Sequence, residues 1–338
     1  MKGGFPAHFI SMREKSHIAV RNESAVSVEN CMSEFETRYE AVLTDPNIPL
    51  KMLFAHLSKS SGKKMRPRLF FLSQGLISGS LSSDVRIAVM LELLHRASLL
   101  HDDVVDNSAI RRGLETINAR FGNKVSILAG DMLFAEILRL GVDIDSQEVL
   151  SRISDVASGM SRAELTVAMT SLEDAATTDF YFKNIRDKTA ALFGAACSLG
   201  AFVAGGSKIV CEKLQQIGVC YGMIFQIRDD ILDLTGSPRL LGKPVQQDIE
   251  SGNITLPLIK AIEHAAEDKQ QHILQLLEDK DNSQTIKAFI KDNGGVNRSL
   301  QEIERISGKI RKLLHSFPAS PFRDRMEQLT AEEPQRKR

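Results

Sequence analysis

The sequence carries no net charge: 43 Lys and Arg balance 43 Asp and Glu over 338 residues. Without a basic excess, nucleic-acid binding is excluded as the main activity, and any anion site must be a local cluster of cations. Only four cysteines occur, Cys31, Cys197, Cys211 and Cys220, and none has CxxC spacing. That excludes a disulfide framework. They read as small buried hydrophobes in a reduced, cytoplasmic compartment. No apolar run approaches the ~18 residues of a membrane span. The first 20 residues lack the apolar core of a secretory signal. Residues 1–22 are expected to form a flexible arm. Low-complexity tracts and solenoid periods are missing, and alternating strand patterns are nearly so.

What is present is helical. Apolar residues make up 43% of the chain, enough for a sizeable core. From Val85 to Leu100, Ile87, Met90, Leu91, Leu94, Ala97 and Ser98 recur at steps of three and four, with Ser82, Ser83 and Asp84 as candidate N-caps. Further helices are expected over Ile127–Leu140, Val149–Leu172, Thr189–Val203, Lys213–Leu234, Thr255–Ala265 and Val296–Leu314. Breakers separate them: Asp45-Pro46-Asn47, Gly205-Gly206, the Gly/Pro-rich loop from Gly236 to Gly252, and Asp292 to Gly295. No composition shift divides the chain. The expectation is a single all-α domain, a helical bundle over residues 23–331, with a tail at 332–338.

One local pattern occurs twice. Asp102-Asp103-Val104-Val105-Asp106 and Asp229-Asp230-Ile231-Leu232-Asp233 both follow DDxxD spacing. On a helix the first and last aspartates share a face, about 6 Å apart at Cβ, where like charges repel. Aspartate is also a mediocre helix former. The neighbouring residues are apolar, so each cluster needs a compensating cation. A single cluster is also what a solvated helix end looks like; two identical ones on apolar segments point to hard divalent ions such as Mg²⁺, which share carboxylates with substrate phosphates.

Cations stand near both clusters. Arg111-Arg112-Gly113 follows the first, and alone would read as a helix-ending basic pair. Ser61 to Pro67 holds Lys63, Lys64 and Arg66, and alone would read as a basic loop. Arg offers a planar fork to phosphate oxygens and Lys a point charge. Lys188-Thr189 is expected to open a helix, whose N-terminus favours an anion. Lys243 lies in the Gly/Pro-rich loop.

With these residues in order, the chain resembles the trans-polyprenyl diphosphate synthases from about Ser61 to Pro257. SGKKMRP, LLHRASLLHDDVVDNSAIRRG, AGDMLF, DKTAALF, FQIRDDILD, GKPVQQDI and GNITLP occur in the family's order. The resemblance implies an all-α isoprenoid synthase fold with a deep central cavity, and a 1′-4 condensation of isopentenyl diphosphate with an allylic diphosphate. It implies that Asp102, Asp103, Asp106, Asp229, Asp230 and Asp233 bind up to three Mg²⁺ ions. Lys63, Arg66, His95 and Arg112 would hold isopentenyl diphosphate. Arg111, Lys188, Thr189, Gln226 and Lys243 would surround the allylic diphosphate. Many members place a Lys in the turn before the TLP segment; here Asn253 stands in that turn and supplies no charge. A homodimer is implied, with a product that can be handed to a membrane.

Product length is expected to follow the cavity wall below Asp102. Ala97 and Ser98 are small where short-chain members carry an aromatic, which points to a C30–C50 product for a quinone side chain. The alternative is a farnesyl or geranylgeranyl diphosphate synthase whose cavity is closed by another residue, for example Phe134 or Met132. A non-catalytic subunit of a heteromeric synthase would usually lose acidic motifs. A terpene cyclase would not need the Lys63/Arg66 and Arg111/Arg112 clusters.

Overall fold

The computed structural model describes residues 27–44, 47–59, 62–236, 247–277 and 282–336. The N-terminal arm, Ser61 and Lys243 lie outside them.

The described chain is helical except for one short hairpin. In order, α1 is Val28–Val42, α2 Ile48–Lys59, α3 Met65–Ser78, α4 Arg86–Val105, α5 Ile117–Phe121, α6 Asn123–Ile144 and α7 Gln147–Met169. They are followed by α8 Leu172–Ala175, α9 Thr178–Ile185, α10 Ala191–Val203 and α11 Lys208–Thr235. The C-terminal half continues through shorter helices to Gly295–Leu314 and Pro321–Glu332, and ends in a 3₁₀ turn, Glu333–Gln335.

Local sequence sets many of these ends. Ser146 and Ser207 cap α7 and α11 by accepting from the backbone N–H of Val149 and Val210. At α4 the expected capping residues fall one position early. The cap is Val85, whose side chain cannot accept, and Asp84 instead accepts from the Arg86 N–H and side chain.

The centre of the bundle is α10, apolar on every side, with ten buried residues from Leu192 to Ala201. It packs between α3 and α11. A Cβ at Gly218 of α11 would collide with the Phe193 carbonyl, and one at Gly200 with the Phe70 carbonyl, so glycine is what lets these backbones approach. One core cluster gathers Phe35, Phe54, Phe70 and Phe71 with the apolar face of α4 and α6. A second gathers Phe193 with α10, α11 and the C-terminal helices. The cavity opens between α4 and α11.

Candidate active site

Both acidic clusters sit at the C-terminal ends of their helices. Asp102 and Asp103 occupy the last turn of α4 and Asp106 is its C-cap residue, while Asp229–Asp233 lies in the closing turns of α11. Those ends carry the helices' unpaired carbonyls and negative dipole, so the backbone adds to the carboxylate charge instead of relieving it. Between them lies a cavity of about 480 Å³. Its walls include Asp102 and Asp106 from α4, Asp229 and Asp230 from α11, and Asp248 from the short helix Gln247–Glu250.

Burial with like charge nearby favours the protonated form of these carboxyls. Burial pushes the Asp102 carboxyl up to about 7, with Glu164 and Asp106 adding to it against Lys188. Asp230, fully enclosed, is also raised, by burial first and by Asp248 and Asp229. Its oxygens are held by Tyr181 Oη, which donates at 2.6 Å, and by Gln226 Nε2 at 2.8 Å. Thr189 Oγ1 donates to Gln226 Oε1 at 2.9 Å and sets the amide's orientation. An all-carboxylate donor set of this kind fits a hard divalent cation. Among the described residues, no three His, Cys, Asp or Glu side chains gather tightly enough to enclose a metal by themselves.

Two expected metal residues turn away from the cavity. Asp103 is buried and accepts from Arg111 Nε at 2.8 Å, while Asn118 and the Ser108 N–H bond its carbonyl. Residue 103 is rotated by 100° from its neighbour, and that places it inside the protein. Asp233 is buried and accepts from the Asp248 N–H at 3.2 Å.

The basic pair after the first cluster does not end a helix. It forms a hairpin in which Ile110 pairs with Glu115 and Arg111 with Leu114. Arg112 and Gly113 both have positive φ, 54° and 78°, as a two-residue type I′ turn requires. Both arginines line the cavity.

Lys188 and Thr189 reach the cavity too, but not from a helix N-terminus. Helix α9 runs without a break through a π turn, Arg186–Ala190, into α10. The expected anion-binding N–H groups are therefore engaged within the helix. Lys188 pairs with Glu164 of α7. Burial works against its charge, but Glu164 and Asp102 outweigh that and raise its pKa.

On the opposite wall are Arg66 and His95. Arg66 lies 4.2 Å above the Phe193 ring, and its buried Nε has no hydrogen-bond partner among the described residues. Burial lowers it to about 10, still charged at neutral pH. His95 is pushed well below its usual value by burial and by Arg66, Arg112, Arg96 and Arg111, so it is neutral there. Lys63 is not on this wall. It lines a neighbouring groove of about 360 Å³ with Tyr221, Glu333 and Arg336.

Ser98 and Leu94 line the cavity below Asp102, with Phe134 from α6 and Ala157, Met160 and Ser161 from α7. Ala97, the other expected length-setting residue, does not. It is fully buried in the core, one 100° step round the helix from Ser98.

Sequence reading missed four cavity-side groups. Glu164 and Tyr181 stand alone in ordinary helical patterns and give no spacing signal. Asp248 is within GKPVQQDI, and its acidity was a usable signal. Arg336 lies in the stretch read as a tail. It pairs with Asp229 and Glu333 and covers the Phe225 ring at 4.4 Å.

Known proteins resemble this chain over most of its length. Residues 49–292 match the polyprenyl synthetase family model. Solanesyl-diphosphate synthase 2, chloroplastic, of Oryza sativa subsp. japonica is 34% identical over 276 residues, covering 79% of this chain and 68% of that protein. Heptaprenyl diphosphate synthase component 2 of Geobacillus stearothermophilus is 35% identical over 231 residues, covering 68% and 72%. The crystal structure of polyprenyl synthase from Caulobacter crescentus CB15, complexed with calcium and isoprenyl diphosphate, superposes with a TM-score of 0.85 at 28% identity. That match covers 94% of this chain and all of the other.

Proposed function

Because the chain belongs to the polyprenyl synthetase family, and is a prenyltransferase of the all-α isoprenoid synthase fold, we propose that its cavity joins isopentenyl diphosphate to an allylic diphosphate and makes a medium- or long-chain all-trans polyprenyl diphosphate. The observation that carries this reading is the pair of acidic clusters facing one cavity from two helix C-termini, with Arg66, Arg111, Arg112 and Lys188 on its other walls.

Asp102 and Asp106 on α4, and Asp229, Asp230 and Asp248 across the cavity, would hold Mg²⁺. Asp103 and Asp233 support them from behind. Mg²⁺ held there would neutralise the allylic diphosphate and make it a better leaving group. Lys188 and Arg111 contact the same diphosphate, and Lys243 is assigned to it from the sequence. Thr189 and Gln226 orient Asp230. Arg66, Arg112 and neutral His95 hold isopentenyl diphosphate; Lys63, assigned to it from the sequence, lines the neighbouring groove.

The C1–O bond of the allylic substrate breaks, and the electron pair leaves with the diphosphate. C4 of isopentenyl diphosphate attacks C1 and forms the new C–C bond. A proton from C2 passes to the departed diphosphate, which restores a double bond and an allylic product. The protein's part is to position both diphosphates and to keep water from the cation.

The name of the solanesyl relative supports a long product, and Ser98 and Ala157 leave the lower cavity open to one. The relative named component 2 of a heptaprenyl synthase favours a second reading of the assembly. On that reading this chain is the catalytic member of a two-component enzyme rather than a homodimer. No helix among the described residues is long and apolar enough to cross a membrane.

The test is purified chain with Mg²⁺, labelled isopentenyl diphosphate and geranyl, farnesyl or geranylgeranyl diphosphate. Chromatography sizes the products and light scattering gives the assembly. No incorporation with any primer refutes the reading.

A further inference from the structure

Lys64 stands between Lys63 and Arg66 in sequence, yet it lines neither the main cavity nor the groove that holds Lys63. Its side chain turns inward and is 9% exposed. Nζ donates to Glu92 Oε1 at 3.0 Å and lies 4.0 Å from the centroid of the Tyr39 ring. Glu92 is itself buried, on α4, one turn before His95. Tyr39, from α1, also accepts at 3.3 Å from Arg96 Nε. Tyr39 of α1 and Glu92 of α4 thus converge on one ammonium group, outside both the main cavity and the groove.

The backbone explains the purpose of this burial. Lys64 has φ 50° and ψ 43°, in the left-handed region, at the N-cap position just before α3. L-residues rarely adopt it, and surrounding structure must enforce it. Here α3 begins with no side-chain cap to set its entry angle. The turn at Lys64 sends Lys63 to the groove beside Arg336 and lets Arg66 enter the main cavity. Glu92 lines neither space, but its charge raises the pKa of both Arg66 and Arg112 against their burial.

We propose that Glu92 is a positioning residue for the isopentenyl diphosphate side of the reaction: by holding Lys64 inward, it fixes the left-handed turn that delivers Arg66 to the main cavity and Lys63 to the groove beside it. The inference deepens the function proposed above and rests on it. Geometry and charge give opposite forecasts. If Glu92 acted only through its field, removing it would make the site more positive and tighten the binding of an anion. If it positions the turn, removing it loosens that binding.

The experiment is steady-state kinetics on the full chain, varying isopentenyl diphosphate and farnesyl diphosphate in turn. Glu92→Gln should raise KM for isopentenyl diphosphate at least tenfold, keep KM for farnesyl diphosphate within twofold, and keep kcat within threefold. Lys64→Gln should do the same, and the double variant should be no worse than the worse single one, because both changes break one interaction. A fall in KM for isopentenyl diphosphate, equal rises in both KM values, or additive single effects would overturn the proposal. If Glu92→Gln fails to fold, Lys64→Gln carries the same comparison alone. Wild-type protein that incorporates no isopentenyl diphosphate would remove the functional reading beneath it.

Discussion

Replacing Ser98 by phenylalanine should convert the enzyme to a short-chain synthase. Ser98 lies four residues before Asp102 on α4, roughly 6 Å down the axis, and Leu94 lies roughly 12 Å down. Both line the cavity, whose volume is about 480 Å³. A phenyl ring at position 98 would project toward Ala157, Met160 and Ser161 of α7, the facing wall. It would block the growing chain about one helical turn below the metal-binding carboxylates. The expected product is C15–C20, with the first condensation rate preserved, because nothing at the level of Asp102 changes. Ala97→Phe provides the contrast. Ala97 is fully buried in the core, so a ring there overpacks it at a cost of about 1–3 kcal/mol. That corresponds to a fall in Tm of about 2–4 °C per kcal/mol by the scaling for domains of 150–250 residues. The assay is labelled isopentenyl diphosphate incorporation, dephosphorylation and reversed-phase sizing, alongside thermal melts. An unchanged product distribution in Ser98→Phe would refute the assignment of this α4 face to the tunnel.

Other outcomes follow from the same geometry. Asp102→Ala and Asp229→Ala should each abolish most turnover while leaving the melting transition cooperative, which incorporation assays and calorimetry on the same samples will check. Because the folded-state pKa of Asp102 is raised to about 7, protons compete with Mg²⁺ as pH falls through that value. The Mg²⁺ concentration for half-maximal activity should be higher at pH 6 than at pH 8. The sign for stability follows from the same shift. Between the unfolded pKa near 3.8 and about 7, the folded metal-free protein holds a proton that the unfolded chain releases. Stability from this group is therefore present at low pH and lost as pH rises through that window. Added Mg²⁺ should flatten the decline in Tm. Arg336→Met removes the arginine paired with Asp229. With Asp229 40% exposed, solvent screening holds that pair to about 1 kcal/mol. The Mg²⁺ requirement should drop about fivefold, and an unchanged requirement would mean that Arg336 does not compete with the metal.

The helices and the two acidic clusters were legible because they rest on periodicity and on fixed spacing within one segment. The Arg111-Arg112 hairpin was not, because its signal is a positive φ at Arg112, a residue with no sequence preference for that conformation. The π turn at Arg186–Ala190 was hidden for a similar reason: Lys188-Thr189 has the composition of a helix start, and only the backbone register shows that the helix had already begun at Thr178. Spacing also gave Asp103 and Asp233 the same standing as their neighbours, and it took side-chain direction to separate them. Tyr181, Glu164 and Arg336 are single residues supplied by distant elements, and no local pattern marks such groups.

The π turn makes the site sensitive to chain length in a way that composition does not reveal. A π turn holds one residue more than an α-helical turn, and each residue accounts for about 100° of rotation. Upstream of it Tyr181 faces Asp230, and downstream α10 must present Gly194 and Gly200 to α11 and α3. Deleting any one residue between 186 and 190 would restore a regular helix and turn one of these faces away from its partner. Single deletions in this segment should therefore be far more damaging than single substitutions, and the extra residue works as a phase shifter between the catalytic face and the packed core.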